Sequence, residues 1–346
     1  MNHIIINQDI HKAFASFFVG RNYSNVLVIA DEHTNNLCYS RLELKKSLPP
    51  HEVFEIKSGE TEKNLATCTL IWQKMTDMEL DRKALVINIG GGVIGDMGGF
   101  CASTYKRGID FVQVPTTLLS MVDASVGGKL GIDFNGYKNH IGVFQVPASV
   151  IVSNRFLETL PHAELKSGYA EVIKHCLIAD KAKWDDLTSH DWQKIDFQEI
   201  VQHSITIKDQ ITTEDPTEKG RRKILNFGHT LGHAVETFFL ETPNRLLHGE
   251  AIAVGMVCES YLSFLKKLIS LEDLDQIMNY LIKVYGKVYL PIEKFEEIIK
   301  ITRQDKKNEF DNVQFALLGP VGHCSYGINI SEGEMKEALD YYNQLG

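Results

Sequence analysis

At 346 residues the chain is longer than one hydrophobic core usually serves, since single cores stop growing at roughly 250 to 300 residues, so two domains are expected. Hydrophobic residues make up 44% and charged residues 23%, with no low-complexity tract, which excludes a disordered or fibrous chain. A formal charge of −9 speaks against nucleic acid or an anionic membrane surface as partner, because both are held by an excess of Lys and Arg.

In chain order, the first half alternates short β-branched runs with helical patterns. The runs are HIIIN, NVLVIAD at 25 to 31, HEVFEI at 51 to 56, ALVINI at 84 to 89, IDFVQV at 109 to 114 and SVIVS at 149 to 153. Such alternation predicts an α/β sheet with helices on its faces. After Pro161 the apolar spacing becomes helical, around 164 to 180, 196 to 214, 221 to 240, 250 to 267, 272 to 285, 293 to 302 and 332 to 344. One strand-like run, VQFALL at 313 to 318, interrupts these helices. With no linker rich in Pro, Gly or Ser, the boundary near 155 to 162 is expected to be a tight joint.

The amino terminus has too short an apolar run for a signal peptide, and no uncharged stretch approaches the roughly 20 residues that span a membrane. A cytoplasmic location is therefore expected. The six cysteines are scattered without a CxxC pair, which argues against a disulfide framework or a thiolate metal cage.

ALVINI runs directly into Gly90, Gly91, Gly92, Val93, Ile94, Gly95 and Asp96, a GxGxxG pattern placed where a strand yields to a helix. Glycines there let the backbone approach a pyrophosphate, whose charge the amides of a helix start can bind. The same run also fits a plain tight turn with close packing. A dinucleotide fold usually carries an acidic residue about 20 residues on, at the end of the next strand. Asp110 instead begins its strand, whereas Asp31 ends an earlier one and could meet a ribose hydroxyl. Two polar sets also follow strands, Ser58, Gly59, Glu60, Thr61, Glu62 and Lys63, and then Thr116 and Thr117.

His229 and His233 lie four residues apart, on one face of a helix, and His248 and Glu171 fall in other helical stretches. Two imidazoles and a carboxylate with an open position would make a catalytic metal site. Spacing by itself nominates His229 and His233 together as ligands, and the pair also fits a packed or solvated helix face. Arg107, Asp123, Lys129, Lys138, Asn139, Lys174, Lys208, Arg222, Lys306 and Lys307 recur in apolar or glycine-rich contexts. Long basic chains mostly coat a solvated surface; Lys129 and Lys174, with apolar neighbours, are the better candidates for an anion site.

Taken together these segments resemble the 3-dehydroquinate synthase family over nearly the whole chain. The resemblance rests on GETEK at 59 to 63, GGGVIGDMGGF at 90 to 100, YKRGIDFVQVPTTLLSMVDASVGGKLGI from 105 and GYKNHIGVF from 136. It continues with TLP at 159, GYAEVIKH from 168, KGRRKILNFGHTLGHAVE from 219, LHGEAIAVGM from 247 and DKK at 305. The fold it implies is α/β, a Rossmann-like NAD-binding domain over 1–158 followed by a mostly α-helical metal- and substrate-binding domain over 159–346, with the active site in the cleft between them.

The resemblance also implies NAD and one divalent metal ion, zinc or else cobalt, as cofactors, and a small sugar-acid phosphate as substrate. It assigns Glu171, His229 and His248 to the metal, which frees His233 for proton transfer near the substrate phosphate and corrects the spacing-based pair. NAD contacts map onto Ser58 to Lys63, Gly92 to Asp96, Thr116, Thr117, Lys129, Lys138 and the segment Phe156, Leu157, Glu158 and Thr159. Asp123, Lys174 and Asn226 match positions that hold ring hydroxyls; Lys208, Arg222 and Lys306 match those that hold the carboxylate; Lys129 and Asn139 lie near the phosphate. Arg107 matches a residue that reaches a neighbouring subunit's site, so a homodimer is implied. Ala124, Leu130 and Asn154 depart from the family pattern. Rival readings are another sugar-phosphate cyclase or a metal-dependent polyol dehydrogenase.

Overall fold

The computed structural model describes residues 3–135, 137–303 and 313–345. In chain order its main elements are β1 (Ile4–Ile6), α1 (Ile10–Phe18), β2 (Val26–Asp31), the single turn α2 (Glu32–Thr34), β3 (Glu52–Ile56), α3 (Leu65–Asp77), β4 (Leu85–Gly90) and α4 (Gly92–Thr104). Then come β5 (Asp110–Pro115), β6 (Lys129–Phe134), β7 (Tyr137–Phe144), β8 (Ser149–Val152), α5 (His162–Ala179), α6 (Lys181–Ser189) and α7 (Phe197–Glu214). The rest are α8 (His229–Phe239), α9 (His248–Leu265), α10 (Leu271–Tyr285), α11 (Phe295–Thr302), β9 (Val313–Leu318), β10 (Cys324–Ile330) and α12 (Glu332–Gln344).

Two compact units result, one of Met1–Leu165 with Phe197–Pro216, the other of Lys166–Asp196 with Thr217–Gly346. This differs from a single boundary at 158/159. The segment 197–216 returns to the first unit because α7 packs there against the turn Ser120–Ala124.

In the first unit six strands pair in the order β1-β8-β5-β4-β2-β3, all parallel. β4 is buried along its whole length and β2 up to Ala30, as parallel strands covered on both faces must be, which explains runs such as LVINI that do not alternate. α3 and α4 close one face over Ile71, Met75, Met97 and Cys101. α4 lies tight on the sheet: a Cβ on Gly98 would fall 2.0 Å from Asn88 Oδ1. Strand order reverses between β2 and β4, and ligands of open α/β sheets bind outside the carboxyl ends of the strands at such a switch point. The antiparallel pair β6–β7 was not expected as strands, although Asn135-Gly136 is a strong hairpin signal.

The second unit is mostly helical, with the antiparallel pair β9–β10 added. α9 runs through its middle, with residues buried on every side, as befits a helix apolar all round. α8, α10 and α12 pack on it. The helix expected over 221 to 240 is broken: a 3-10 turn spans Arg221–Asn226, Gly228 turns left-handed at φ 78°, and α8 starts only at His229. Among the described residues no helix is long and apolar enough to cross a membrane, and no disulfide forms, five cysteines being buried and Cys324 half-buried.

Candidate functional site

In the first unit the carboxyl ends of the strands gather the polar sets. β4 ends in Gly90 and α4 begins behind Gly91 with no side chain capping its amides, so the helix start is open to an anion. Across the switch point, Asp31 ends β2; its carboxylate accepts the Thr34 N–H at 2.7 Å and the Thr34 hydroxyl at 2.9 Å. Next to it, Glu32 accepts the Ser58 N–H at 2.9 Å and its hydroxyl at 2.6 Å, tying the end of β2 to the loop after β3. Thr116 and Thr117 follow β5, and Phe156 to Thr159 lie in the 3-10 turn that follows β8.

Lys63 links two of these pieces to β7. Its buried ammonium donates to Asp96 on α4 and to Asn139 on β7, both at 2.6 Å. Burial works against that charge, but the carboxylates of Asp96, Glu60 and Asp133 together outweigh it and hold Lys63 above its usual range. Asp133 accepts the Asn139 N–H at 2.8 Å, and Asn139 sits at φ 51°, in the left-handed region. Lys208, buried on α7, pairs with the Asp123 carboxylate at 2.5 Å and its carbonyl at 2.6 Å. Lys129 is exposed at the start of β6, while Gly128 and Leu130 on either side of it are buried, as expected of its neighbours. Arg107 is exposed in a turn where Lys106, Arg107 and Gly108 all have positive φ.

In the second unit three helices converge through their sequences. α9 meets α5 at Gly249, whose N–H donates to Ser167 Oγ at 2.9 Å and where a Cβ would lie 1.9 Å from the Ser167 carbonyl oxygen. That contact brings His248, first residue of α9, to Glu171 on α5. His229 is likewise the first residue of α8. Glu171 is fully buried, with Oε1 3.3 Å from His229 Nε2 and 3.7 Å from His248 Nε2. Oε1 has no hydrogen-bond partner, and its sister oxygen accepts from the buried Lys174 ammonium.

The other imidazole nitrogens are held from behind. His229 Nδ1 faces the Phe227 carbonyl at 3.0 Å and His248 Nδ1 faces the Glu236 carboxylate at 3.2 Å, an arrangement that directs each Nε2 toward Glu171. Burial pushes the Glu171 carboxyl up, but Lys174, His229 and His248 outweigh it and hold it well below the usual range. Burial lowers His229, whereas for His248 the carboxylates of Glu171 and Glu236 overcome burial and raise it to about 9. An orphaned buried carboxylate oxygen facing two imidazole nitrogens fits a divalent cation, with nitrogen and oxygen donors in a set that suits zinc or cobalt. The ligating atoms of His229, His233 and His248 also lie within 4.8 Å of one another, His233 being exposed.

Asn226, His229 and His233 line a pocket of about 580 Å³, open to solvent, together with Lys223, Gln314 and Tyr326. Arg222 is buried beside it in the chain. Lys306 and Lys307 lie outside the described residues. Residue-by-residue reading passed over Glu236, Asp133 and Glu218, the last accepting the Asn226 amide at 2.8 Å. Glu236 stood in the quoted GHTLGHAVE, but no spacing rule links it to His248.

The family model described as 3-dehydroquinate synthase N-terminal matches residues 53–167, and the one described as 3-dehydroquinate synthase C-terminal matches 168–308. A 3-dehydroquinate synthase of Parabacteroides distasonis is 34% identical over 344 residues, covering 99% of this chain and 98% of its own. Among solved structures, 2-deoxy-scyllo-inosose synthase complexed with carbaglucose-6-phosphate, NAD+ and Co2+ is 24% identical, with a TM-score of 0.85 over 98% of this chain and 96% of that one. The 2-epi-5-epi-valiolone synthase of Streptomyces hygroscopicus, with NAD+ and Zn2+ bound, is 22% identical, with a TM-score of 0.86 over 99% and 97%. These two share the fold. The paired family models and the full-length relative establish that the chain belongs to the 3-dehydroquinate synthase family.

Proposed function

We propose that the chain carries out its family's reaction, turning 3-deoxy-arabino-heptulosonate 7-phosphate into 3-dehydroquinate and inorganic phosphate in the shikimate pathway of aromatic amino acid biosynthesis. The observation that carries the reading is the meeting of Glu171, His229 and His248, with a buried carboxylate oxygen left for a cation. When bound, the metal supplies a Lewis acid at a substrate oxygen, and NAD a reversible acceptor of hydride. Oxidation at carbon 5 acidifies the neighbouring proton, so that phosphate leaves; the ketone is then reduced again, and ring opening and an internal aldol closure give the carbocycle.

The chain's own residues bind and orient. In the first unit the open start of α4, at Gly92, Val93, Ile94, Gly95 and Asp96, takes the pyrophosphate of NAD. Asp31, Ser58 to Lys63, Thr116, Thr117, Lys129, Lys138 and Phe156 to Thr159 surround the rest of the nucleotide. Asp123, Lys174 and Asn226 hold ring hydroxyls, while Lys208, Arg222 and Lys306 hold the carboxylate. Because Lys208 and Asp123 are bonded to each other, a substrate with hydroxyls and a carboxylate competes for the same atoms. Lys129 and Asn139 attend the phosphate, and exposed His233 moves a proton there. We assign the protein to the cytoplasm as a homodimer in which Arg107 serves the partner's site.

The test is to incubate the protein with NAD, Zn2+ and the heptulosonate phosphate. Phosphate and carbocycle should appear one for one without sustained NADH. Lasting NADH in equal yield would make the protein a polyol dehydrogenase, and turnover of a sugar phosphate lacking the carboxylate in its place would make it a different cyclase.

A further inference from the structure

α8 carries both His229 and His233, yet it begins without an ordinary cap. Gly228, left-handed at φ 78°, precedes it and offers no side chain, whereas a helix start leaves amide groups that need acceptors. Those acceptors come from another helix. Glu259 of α9, 0% exposed, accepts the Gly228 N–H at 2.6 Å and the Leu231 N–H at 3.1 Å, one with each carboxylate oxygen. The helices approach closely enough for this because position 255 is also glycine: a Cβ there would fall 2.0 Å from the Gly228 carbonyl oxygen. A buried carboxylate is costly unless its oxygens are bonded, and these are spent on the turn that opens with His229.

We infer that Glu259 is a positioning residue: by clamping the amides on either side of His229 it aims that imidazole at Glu171 and sets His233 one turn further on. It touches neither substrate nor cation, and the inference rests on the proposed metal role of His229. Ser263 serves as a control, since its hydroxyl is buried in the same helix but donates to the Glu259 carbonyl, with its oxygen accepting the Leu318 N–H, away from α8.

The experiment is Co2+ titration of the wild type, Glu259→Gln and Ser263→Ala against a competing chelator, with the visible Co2+ spectrum and the melting temperature of the metal-free protein recorded. Gln keeps the size but turns a donor toward a donor. Glu259→Gln should weaken cobalt binding by about 10- to 100-fold, the usual effect of losing an outer partner, and shift the visible bands, while Ser263→Ala lowers only the melting temperature. A Glu259→Gln protein with wild-type affinity and spectrum overturns the inference. Failure of the wild type to bind Co2+ would instead sink the metal reading. Should Glu259→Gln not fold, amide exchange of Gly228 and Leu231 in the metal-free wild type decides: protection is expected, and exchange as fast as in unfolded chain refutes the clamp.

Discussion

His229 and His233 share a helix face and differ in what stands behind them. His229 is pinned by the Phe227 carbonyl and faces a buried carboxylate, whereas His233 is exposed at the pocket. His233→Ala should therefore retain one metal ion per chain and slow turnover by about 100- to 10,000-fold, the span of a lost general acid or base; metal analysis showing an empty variant would make His233 a ligand. His248 adds a pH dependence. In the metal-free protein its pKa is raised from 6.5 to about 9, so the imidazolium stabilises the fold fully below the ordinary value, and that stability is lost as pH rises through 9. A ligand imidazole must be neutral, hence metal affinity should climb with pH toward 9 and binding near neutrality should release a proton. Calorimetry in two buffers of different ionisation enthalpy reads this directly, and identical heats would contradict it.

At the scale of elements, close approach of helix backbones builds the proposed cation site. α9 reaches α5 only because position 249 lacks a side chain, a Cβ there falling 1.9 Å from a carbonyl oxygen of α5. Gly249→Ala should destabilise the protein by at least the about 1 to 3 kcal/mol typical of overpacking, and should weaken metal binding because His248 is the preceding residue. Gly333→Ala, on α12 where an added Cβ meets nothing, should leave melting temperature and metal affinity near wild type or slightly raise the former. Equal melting curves for the two variants would remove the close contact from the account. In the first unit, the link from Lys63 to Asp96 and Asn139 joins a loop, a helix and a hairpin.

For the whole molecule, the proposed dimer makes a prediction of its own. Arg107→Ala and Glu171→Gln should each be inactive alone, but mixed and reassembled they should recover activity, up to about a quarter of wild type if subunits pair at random in closed twofold dimers. Mixtures as inactive as their parents would place Arg107 outside a neighbour's site. Much of the architecture was legible in advance, because burial on both faces writes parallel strands as unbroken β-branched runs, and amphipathic packing writes helices at their own period. The strands at 26–31 and 85–90, the helix at 332–344 and the Glu171, His229 and His248 triad all stood in the chain as local pattern or family motif. Tertiary structure alone decided that α7 joins the first unit, that the helix expected from 221 breaks at Gly228, that Glu236 stands behind the His248 imidazole, and that Glu259 accepts the amides at the start of α8. The physical reason is distance along the chain: periodicity reports which face of an element is buried, but a carboxylate 28 or 31 residues from the amides it clamps leaves no local trace until the helices have packed.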